Sequence, residues 1–514
     1  MKHKGAVACG HALTADAAES VLREDGNAFD AMIAAFFMAC VAEPVLTSVG
    51  GGGFLMAQKR GGSPKLLDFF AQTPRHKNDN ADTDFEKVVV DFGSATQDFY
   101  MGYGAVATPG AVRGLFDMHR QLASMPMKTL MQPAIQAARE GVTVSDLQAY
   151  IFSLVEPIYI THSSARNIFG SCKQPEHVAR AGETLKMPEL ADTLEVLAIE
   201  GDKLFYRGEI AQLTIDECAG AGHLSYDDLA RYETKLREPI ATRYRDAQIF
   251  SNPFPGAGGG LISFALELLQ SIDQSSLQFG TADYVSTLVD VMDLTNNARR
   301  ESMTDSDCID GDKLLASESL ESFKRELQKR TQSHRGTTHI SIIDAQGNAA
   351  AMTVSNGEGC GHLLPATGIM LNNMLGEEDL NPLGFHKWTP NERISSMMAP
   401  TIVHDAQGRV VVTGSGGSNR IRTTILQVLI DLIDHNMDVE QAVCSPRIHF
   451  ENDTLYLEGG LNAAETERIL QHYPEHKIWD DITFFFGGAH TLISDGKQTW
   501  GAADPRRGGV CRVI

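Results

Sequence analysis

The sequence predicts an α+β fold in which two stacked β-sheets are flanked by helices. Three observations support this prediction: three hairpins in the carboxyl-terminal third, an amphipathic helix among them at residues 423–435, and a mostly apolar helix near the amino terminus. Strand pairs that alternate with helices in this way form layers, because each sheet must bury its apolar face against another element.

Caps and apolar spacing predict the helices. Thr14 can cap a helix over residues 14–25, and Gly26 then follows its last turn. A helix that begins at about Phe29 is apolar all round, which is typical of a helix buried on every side. Two more helices are predicted at residues 132–141 and 187–201.

The three hairpins are predicted where β-rich runs surround short polar turns that contain glycine. Their strands are residues 340–344 with 349–354, 402–404 with 410–413, and 490–494 with 499–502. The most polar and least patterned stretch, residues 301–336, ends just before the first hairpin. Such a segment suits a cleavable site in a precursor.

Composition limits the function classes. The chain has 514 residues and a net charge of −22, which argues against nucleic acid or an anionic membrane as a partner. Lys2 and Lys4 are not followed by an apolar signal segment, and the apolar run 31–42 is too short to span a bilayer. We therefore expect a cytoplasmic protein.

Eight scattered cysteines include no Cys-x-x-Cys pair, so the sequence predicts no zinc site, no other metal site and no cofactor. At this length they are interpreted as reduced thiols. Cys360 lies close in sequence to the candidate catalytic residues, and a structural role is favoured for it.

The candidate nucleophile is Thr337, the first of two threonines that open a mid-chain strand. A threonine hydroxyl needs an adjacent base, and chain cleavage before Thr337 would supply its own α-amino group as that base. The alternatives are Thr338 as the nucleophile, or an ordinary β-branched residue in a strand.

Seven motifs occur in an order that resembles the γ-glutamyltransferase family. They are residues 26–31 with 43–44, 50–54, 108–110, 337–348, 368–373, 395–401 and 413–418. The resemblance implies a four-layer αββα sandwich of the N-terminal nucleophile hydrolase type. It also implies self-cleavage between Gly336 and Thr337 into a large subunit, 1–336, and a small catalytic subunit, 337–514. The expected partner is then a small-molecule amide substrate. The sequence does not decide whether the heterodimers assemble into a homo-oligomer.

The resemblance also assigns roles around the nucleophile. Thr353 assists self-cleavage, and Ser355 holds the nucleophile; residues two apart in a strand share a face, so both can point toward Thr337. Asn356 is the candidate for binding the nucleophile's amine, although it follows Ser355 one residue earlier than the family pattern has it. Gly416 and Gly417 form the oxyanion hole; the alternative is a turn before a helix.

The substrate-binding pattern departs from the family. Phe70 stands where the family has an arginine that grips the substrate's α-carboxylate, and an apolar ring cannot replace that clamp. Ser395 and Ser396 remain as donors. Asn373 is a further candidate for substrate binding, and Glu377, which follows it, is the candidate for the acidic residue with which the family binds the α-amine. Should another cation replace the missing one, the sequence offers a set of four arginines: Arg420, Arg422, Arg506 and Arg507.

Three functions are therefore compared. The favoured one is a self-processing threonine amidohydrolase that prefers hydrolysis of a non-standard acyl group, glutaryl-like or oxamate-like. The second is a true γ-glutamyl hydrolase or transferase of glutathione metabolism. The third is an inactive homologue that binds a ligand, against which the intact hydroxyls of Thr337, Thr353 and Ser355 count.

Overall fold

The structure is a computed structural model, and it describes residues 3–78, 83–91, 96–274, 277–303, 309–316, 337–381 and 383–514. In chain order its strands are β1 (Gly5–Cys9), β2 (Gly52–Gln58), β3 (Lys65–Phe69), β4 (Glu86–Asp91), β5 (Thr96–Met101), β6 (Val142–Thr143), β7 (Thr184–Leu185), β8 (Lys235–Arg237), β9 (Ile240–Tyr244), β10 (Ala247–Ser251), β11 (Thr338–Asp344), β12 (Ala349–Ser355), β13 (Thr401–His404), β14 (Val410–Thr413), β15 (Ser415–Gly416), β16 (Ile448–Glu451), β17 (Thr454–Glu458), β18 (His476–Trp479), β19 (Gly488–Ser494), β20 (Thr499–Ala503) and β21 (Val510–Val513).

The α-helices of the same described ranges are α1 (Ala12–Arg23), α2 (Ala28–Ala42), α3 (Ala111–Leu122), α4 (Met127–Glu140), α5 (Asp146–Leu154), α6 (Glu156–Ile160), α7 (Ser163–Phe169), α8 (Pro188–Glu200), α9 (Lys203–Tyr206), α10 (Glu209–Cys218), α11 (Tyr226–Ala230), α12 (Ala257–Gln270), α13 (Ala282–Glu301), α14 (Gly311–Leu314), α15 (Arg420–Ile433), α16 (Val439–Cys444) and α17 (Ala463–His472).

Two seven-stranded sheets form the centre of the molecule. The first has the order β21-β1-β11-β12-β2-β3-β8, and the second has the order β15-β19-β14-β13-β10-β9 with β20 beside β19. All the pairings in both sheets are antiparallel. The three predicted hairpins are confirmed as β11–β12, β13–β14 and β19–β20.

The first sheet is buried on both faces. Ile340 and Ile342 of β11 belong to a core that also contains α1, α2 and α4, whereas Ile343 belongs to a core shared with α12, α15 and the second sheet. Helices therefore cover the outer face of each sheet, and the predicted four-layer αββα sandwich is confirmed. The side chains of β11 that alternate with Ile340 and Ile342 lie between the sheets.

The predicted helices are present, with shifted ends. All 15 residues of α2 are buried, as its apolar sequence predicts, and Asn27 and Asp30 form a capping box at its start. The prediction that Thr14 caps the first helix is wrong: His11 caps α1, and Thr14 is buried inside it. Gly26 does not follow its last turn either, because Asp25, at φ +65°, takes the left-handed position.

Part of the predicted cleavable segment, including Gly336, lies outside the described residues. Its start is described: α13 ends at Glu301, and α14 is a single short helix. None of the helices in the described ranges is long and apolar enough to cross a membrane.

Candidate active site

Thr337 lies directly before β11, at the edge where the two sheets face each other. It is 4% exposed and lines a cavity together with Ser355. The strands β11 and β12 are in register with His339 opposite Thr353, which places Ser355 level with Thr337 on the same face. The predicted shared face of Thr353 and Ser355 is thus confirmed.

Thr338 points to the opposite face of the sheet. Its hydroxyl donates to Glu43 Oε2 at 3.0 Å, and Thr14 donates to the other oxygen of the same carboxyl group at 3.0 Å. Burial raises the pKa of Glu43, while the two hydroxyls and nearby cations oppose that change. Thr338 is thus engaged outside the cavity that Thr337 lines.

A hydrogen-bonded chain continues from Thr353 into the space between the sheets. His339 contacts Thr353 Oγ1 through Nδ1 at 2.8 Å and Ser341 Oγ through Nε2 at 3.0 Å. Ser341 donates its one proton to the His490 carbonyl at 2.8 Å, so it must accept from His339 Nε2–H. The Nδ1 atom of His339 then accepts the proton of Thr353.

His339 was missed by the sequence reasoning. It is fully buried, and burial lowers its pKa well below the usual histidine value, so it is neutral near pH 7. Its position two residues after Thr337 was the available signal, because alternation alone places both side chains on one face.

Gly416, the first residue of the glycine pair, lies against the backbone of Thr337. A Cβ atom at Gly416 would lie 1.9 Å from the Thr337 carbonyl oxygen, so only glycine allows this close approach. Gly417 has φ +118°, a conformation that other residues rarely adopt. Arg507 donates from Nη1 to the same carbonyl at 3.1 Å and lies over the Phe484 ring.

The cavity gathers six of the predicted site residues from distant parts of the chain. They are Phe70, Thr337, Ser355, Glu377, Ser395 and Ser396. Apolar side chains complete much of the wall: Ala257, Ile309, Met374, Leu380, Met397, Met398 and Ile421. Phe70 itself is 1% exposed and stacks on Phe54, with ring centroids 5.3 Å apart.

Two predicted residues are not brought to Thr337. Asn356 Nδ2 donates to the Leu371 carbonyl at 3.4 Å, and no hydrogen bond joins Asn356 to Thr337 among the described residues. Asn373 instead connects two other segments of the chain. Its Oδ1 accepts a hydrogen bond from Glu358 N at 2.8 Å, and its Nδ2 donates to the carbonyl of Tyr100 in β5.

The four arginines proposed as substitutes for the missing cation do not line the cavity. Arg506 pairs with Glu458 and Asp504, Arg422 donates to Asn296, and Arg420 donates to the Phe485 carbonyl. The arginine that does line the cavity is Arg299, in the last turn of α13. No motif marks it, because its neighbours in the sequence form an ordinary polar helix end.

The surroundings of Cys360 agree with the structural role that the sequence favours for it. Burial raises the pKa of its thiol to about 12, and its Sγ donates to the His362 carbonyl. A thiol in this state is a poor nucleophile. In the ranges that the structure describes, no cluster of three or more His, Cys, Asp or Glu side chains could hold a metal ion.

Acidification is expected to destabilise the fold through His490. Burial lowers its pKa to about 4, below the unfolded value near 6.5. The unfolded state therefore binds more protons between these pH values, and each pH unit below about 6.5 costs roughly 1.4 kcal/mol. Urea unfolding at pH 7, 6 and 5 should show a smaller loss in His490→Gln. His476→Gln, at an exposed position, is the control, and equal slopes in all three proteins would contradict the assignment.

The chain is similar to known amide-cleaving enzymes along nearly its whole length. The family model described as Gamma-glutamyltranspeptidase matches residues 14–514. The glutathione hydrolase proenzyme of Escherichia coli K12 is 29% identical, covering 98% of this chain and 90% of the relative. The acylase ACY 1 proenzyme of Pseudomonas sp. SE83 is 28% identical, covering 92% and 87%.

A solved structure supports the same assignment of fold. The cephalosporin acylase of Bacillus halodurans superposes with a TM-score of 0.84 at 21% identity, covering 99% of this chain and 96% of that chain. At that identity the likeness concerns the fold alone. The match to the family model, by contrast, spans nearly the entire sequence, and the chain therefore belongs to the gamma-glutamyltranspeptidase family of amide-bond hydrolases and acyltransferases.

Proposed function

We propose that this protein is a self-processing amidohydrolase with Thr337 as its amino-terminal nucleophile, and that it prefers to hydrolyse amides of a glutaryl-like or oxamate-like acyl group. The observation that carries the proposal is the cavity in which Thr337, Ser355 and Phe70 meet. The relatives named proenzymes support processing into subunits 1–336 and 337–514.

The chemistry proceeds in two steps after cleavage of the Gly336–Thr337 bond. The freed α-amine takes the proton of the Thr337 hydroxyl, and the oxygen attacks the amide carbonyl. The tetrahedral intermediate collapses to an ester on Thr337, and the amine leaves with a proton. Water then hydrolyses the ester, releases the carboxylic acid and restores the threonine.

Gly416 and Gly417 are proposed to stabilise the oxyanion of the tetrahedral intermediate. The backbone of Gly416 lies against the Thr337 carbonyl, where a Cβ atom would clash with the carbonyl oxygen. Backbone donors of this kind typically contribute about 2.7–4 kcal/mol of barrier reduction each. Ser355 is proposed to position the hydroxyl of Thr337 from the neighbouring strand.

A short acyl group fits the cavity best. Its open volume is about 40 Å³, whereas a single water centre needs roughly 10–15 Å³. Phe70 and the methionines Met374 and Met397 suit a methylene chain, and the Phe70 ring offers neither a positive charge nor a hydrogen-bond donor to a substrate α-carboxylate.

The second candidate is γ-glutamyl hydrolysis or transfer. Glu377 and Asp379 line the same cavity and could bind a substrate ammonium group. The name of the Escherichia coli relative, a glutathione hydrolase, fits this alternative.

Processed enzyme should hydrolyse glutaryl-p-nitroanilide or oxamate with a higher kcat/KM than γ-glutamyl-p-nitroanilide or glutathione. Phe70 stands where the family pattern has the arginine that pairs with the α-carboxylate, so the amino-acid head of a γ-glutamyl group loses a charge-assisted contact worth roughly 1.5–3 kcal/mol, which is more than tenfold in binding. Initial rates measured with each substrate on one enzyme preparation give the order of the kcat/KM values. A preference for the γ-glutamyl pair would establish the second candidate instead.

A further inference from the structure

The cavity contains a cation that the sequence pattern does not explain. Arg299 lies in the last turn of the 20-residue helix α13 and lines the cavity together with Thr337 and Phe70. It belongs to the large-subunit segment and is 38 residues away from the nucleophile in the sequence, so only the fold brings the two together.

Among the described residues, the guanidinium of Arg299 has no hydrogen bond and no ion pair within 4 Å, in contrast to Arg506, which is paired with two carboxylates. Arg299 is partly buried and lines the cavity.

Two carboxylates act on the charge of the guanidinium. Burial lowers the pKa of Arg299, and the negative charges of Asp379 and Glu451 oppose that change. Asp379 accepts a hydrogen bond from Ser418 at 2.5 Å, and Glu451 binds His449. A guanidinium stays charged near pH 7 and presents a planar fork of donors, which matches the two oxygens of a carboxylate.

We infer that Arg299 binds the carboxylate of the acyl group while Thr337 attacks the amide at its other end. The inference rests on the proposed function and narrows it to acyl groups that end in a carboxylate, such as glutaryl and the oxalyl group of oxamate. Arg299, on helix α13, would thus supply the positive charge for a carboxylate that is missing at the position of Phe70. A γ-glutamyl group also carries a carboxylate, and its amine would meet Glu377 or Asp379.

The test compares two anilides that differ in charge but little in length: glutaryl-p-nitroanilide and the neutral butyryl-p-nitroanilide. Arg299→Gln should raise KM for the glutaryl substrate by more than about tenfold, the usual effect of losing a charge-assisted pair. It should leave the butyryl KM unchanged. Arg299→Lys should restore part of the difference, because it keeps the charge but not the fork.

Arg300→Gln is the matched control. Arg300 is the next residue, is exposed and bonds to Asn297, so both KM values should stay at the wild-type level. Fragment pattern and thermal melting of each variant verify processing and folding. A comparison of KM for γ-glutamyl-p-nitroanilide between wild type and Glu377→Gln shows whether the cavity also binds the amine of an amino-acid head or only a carboxylate.

The outcomes separate the two ideas. If wild type prefers the glutaryl substrate but Arg299→Gln raises both KM values equally or neither, the role of Arg299 is wrong and the proposed function stands. If wild type prefers the neutral butyryl substrate, the carboxylate-bearing acyl group is wrong, and the role of Arg299 falls with it.

Discussion

Thr337→Ala is expected to remain a single uncut chain of 514 residues with no measurable amidase activity. The variant lacks the hydroxyl that attacks both the chain and the substrate, and removal of a nucleophile lowers turnover by on the order of 10⁶-fold in acyl-transfer enzymes. Gel electrophoresis and sequencing of the new amino terminus of the wild-type small fragment check the prediction.

The matched control is Thr338→Val. Thr338 donates to Glu43 on the opposite face, so its loss costs stability without touching the cavity. This variant should be cut and active, and Thr337→Ser should retain cleavage because it keeps the hydroxyl. A small fragment that begins at Thr338, or an uncut chain that is active, would refute the assignment; an uncut and inactive wild type would favour a ligand-binding homologue.

The second large effect is expected on β12, where two hydroxyls should affect different steps. Thr353→Val should slow self-cleavage, because the Thr353 proton is held by His339 Nδ1 behind the nucleophile. Ser355→Ala should mainly lower kcat of the mature enzyme, since Ser355 lines the cavity itself. Losses of this type are about 10²–10⁴-fold.

A time course of fragment formation, followed by kcat of the mature fraction, separates the two steps. The control is Thr242→Val, which removes an equally buried hydroxyl bonded to Ser263 far from Thr337. Should Thr353→Val mature at the wild-type rate, or Ser355→Ala turn over normally, the proposed division of roles is incorrect.

Local patterns predicted the secondary structure well and its ends less well. The helix α2 and the three hairpins follow from apolar runs and turn residues that act over a few positions. The cap of α1 failed because the hydroxyl of Thr14 has a better partner in Glu43, 29 residues away. A capping rule that considers only neighbouring residues cannot include such a competitor.

The candidate site likewise contains residues whose positions follow from local spacing and residues whose positions do not. Thr337, Thr353 and Ser355 lie on one face because side chains alternate along strands, and this can be read from spacing alone. Asn356 and Asn373 could not be placed by spacing, because both lie in loops whose amides bind other loops.

The sequence by itself determined the family, the layer order and the strand that follows the candidate nucleophile, since motif order and alternation are properties of neighbouring residues. Only the tertiary structure decided which charges surround Thr337. It engaged Arg420, Arg422 and Arg506 elsewhere and brought Arg299 into the cavity from the end of α13. The cavity wall combines helix ends, strands and loops that are far apart in the chain, so its charge depends on how the layers pack and not on any local pattern.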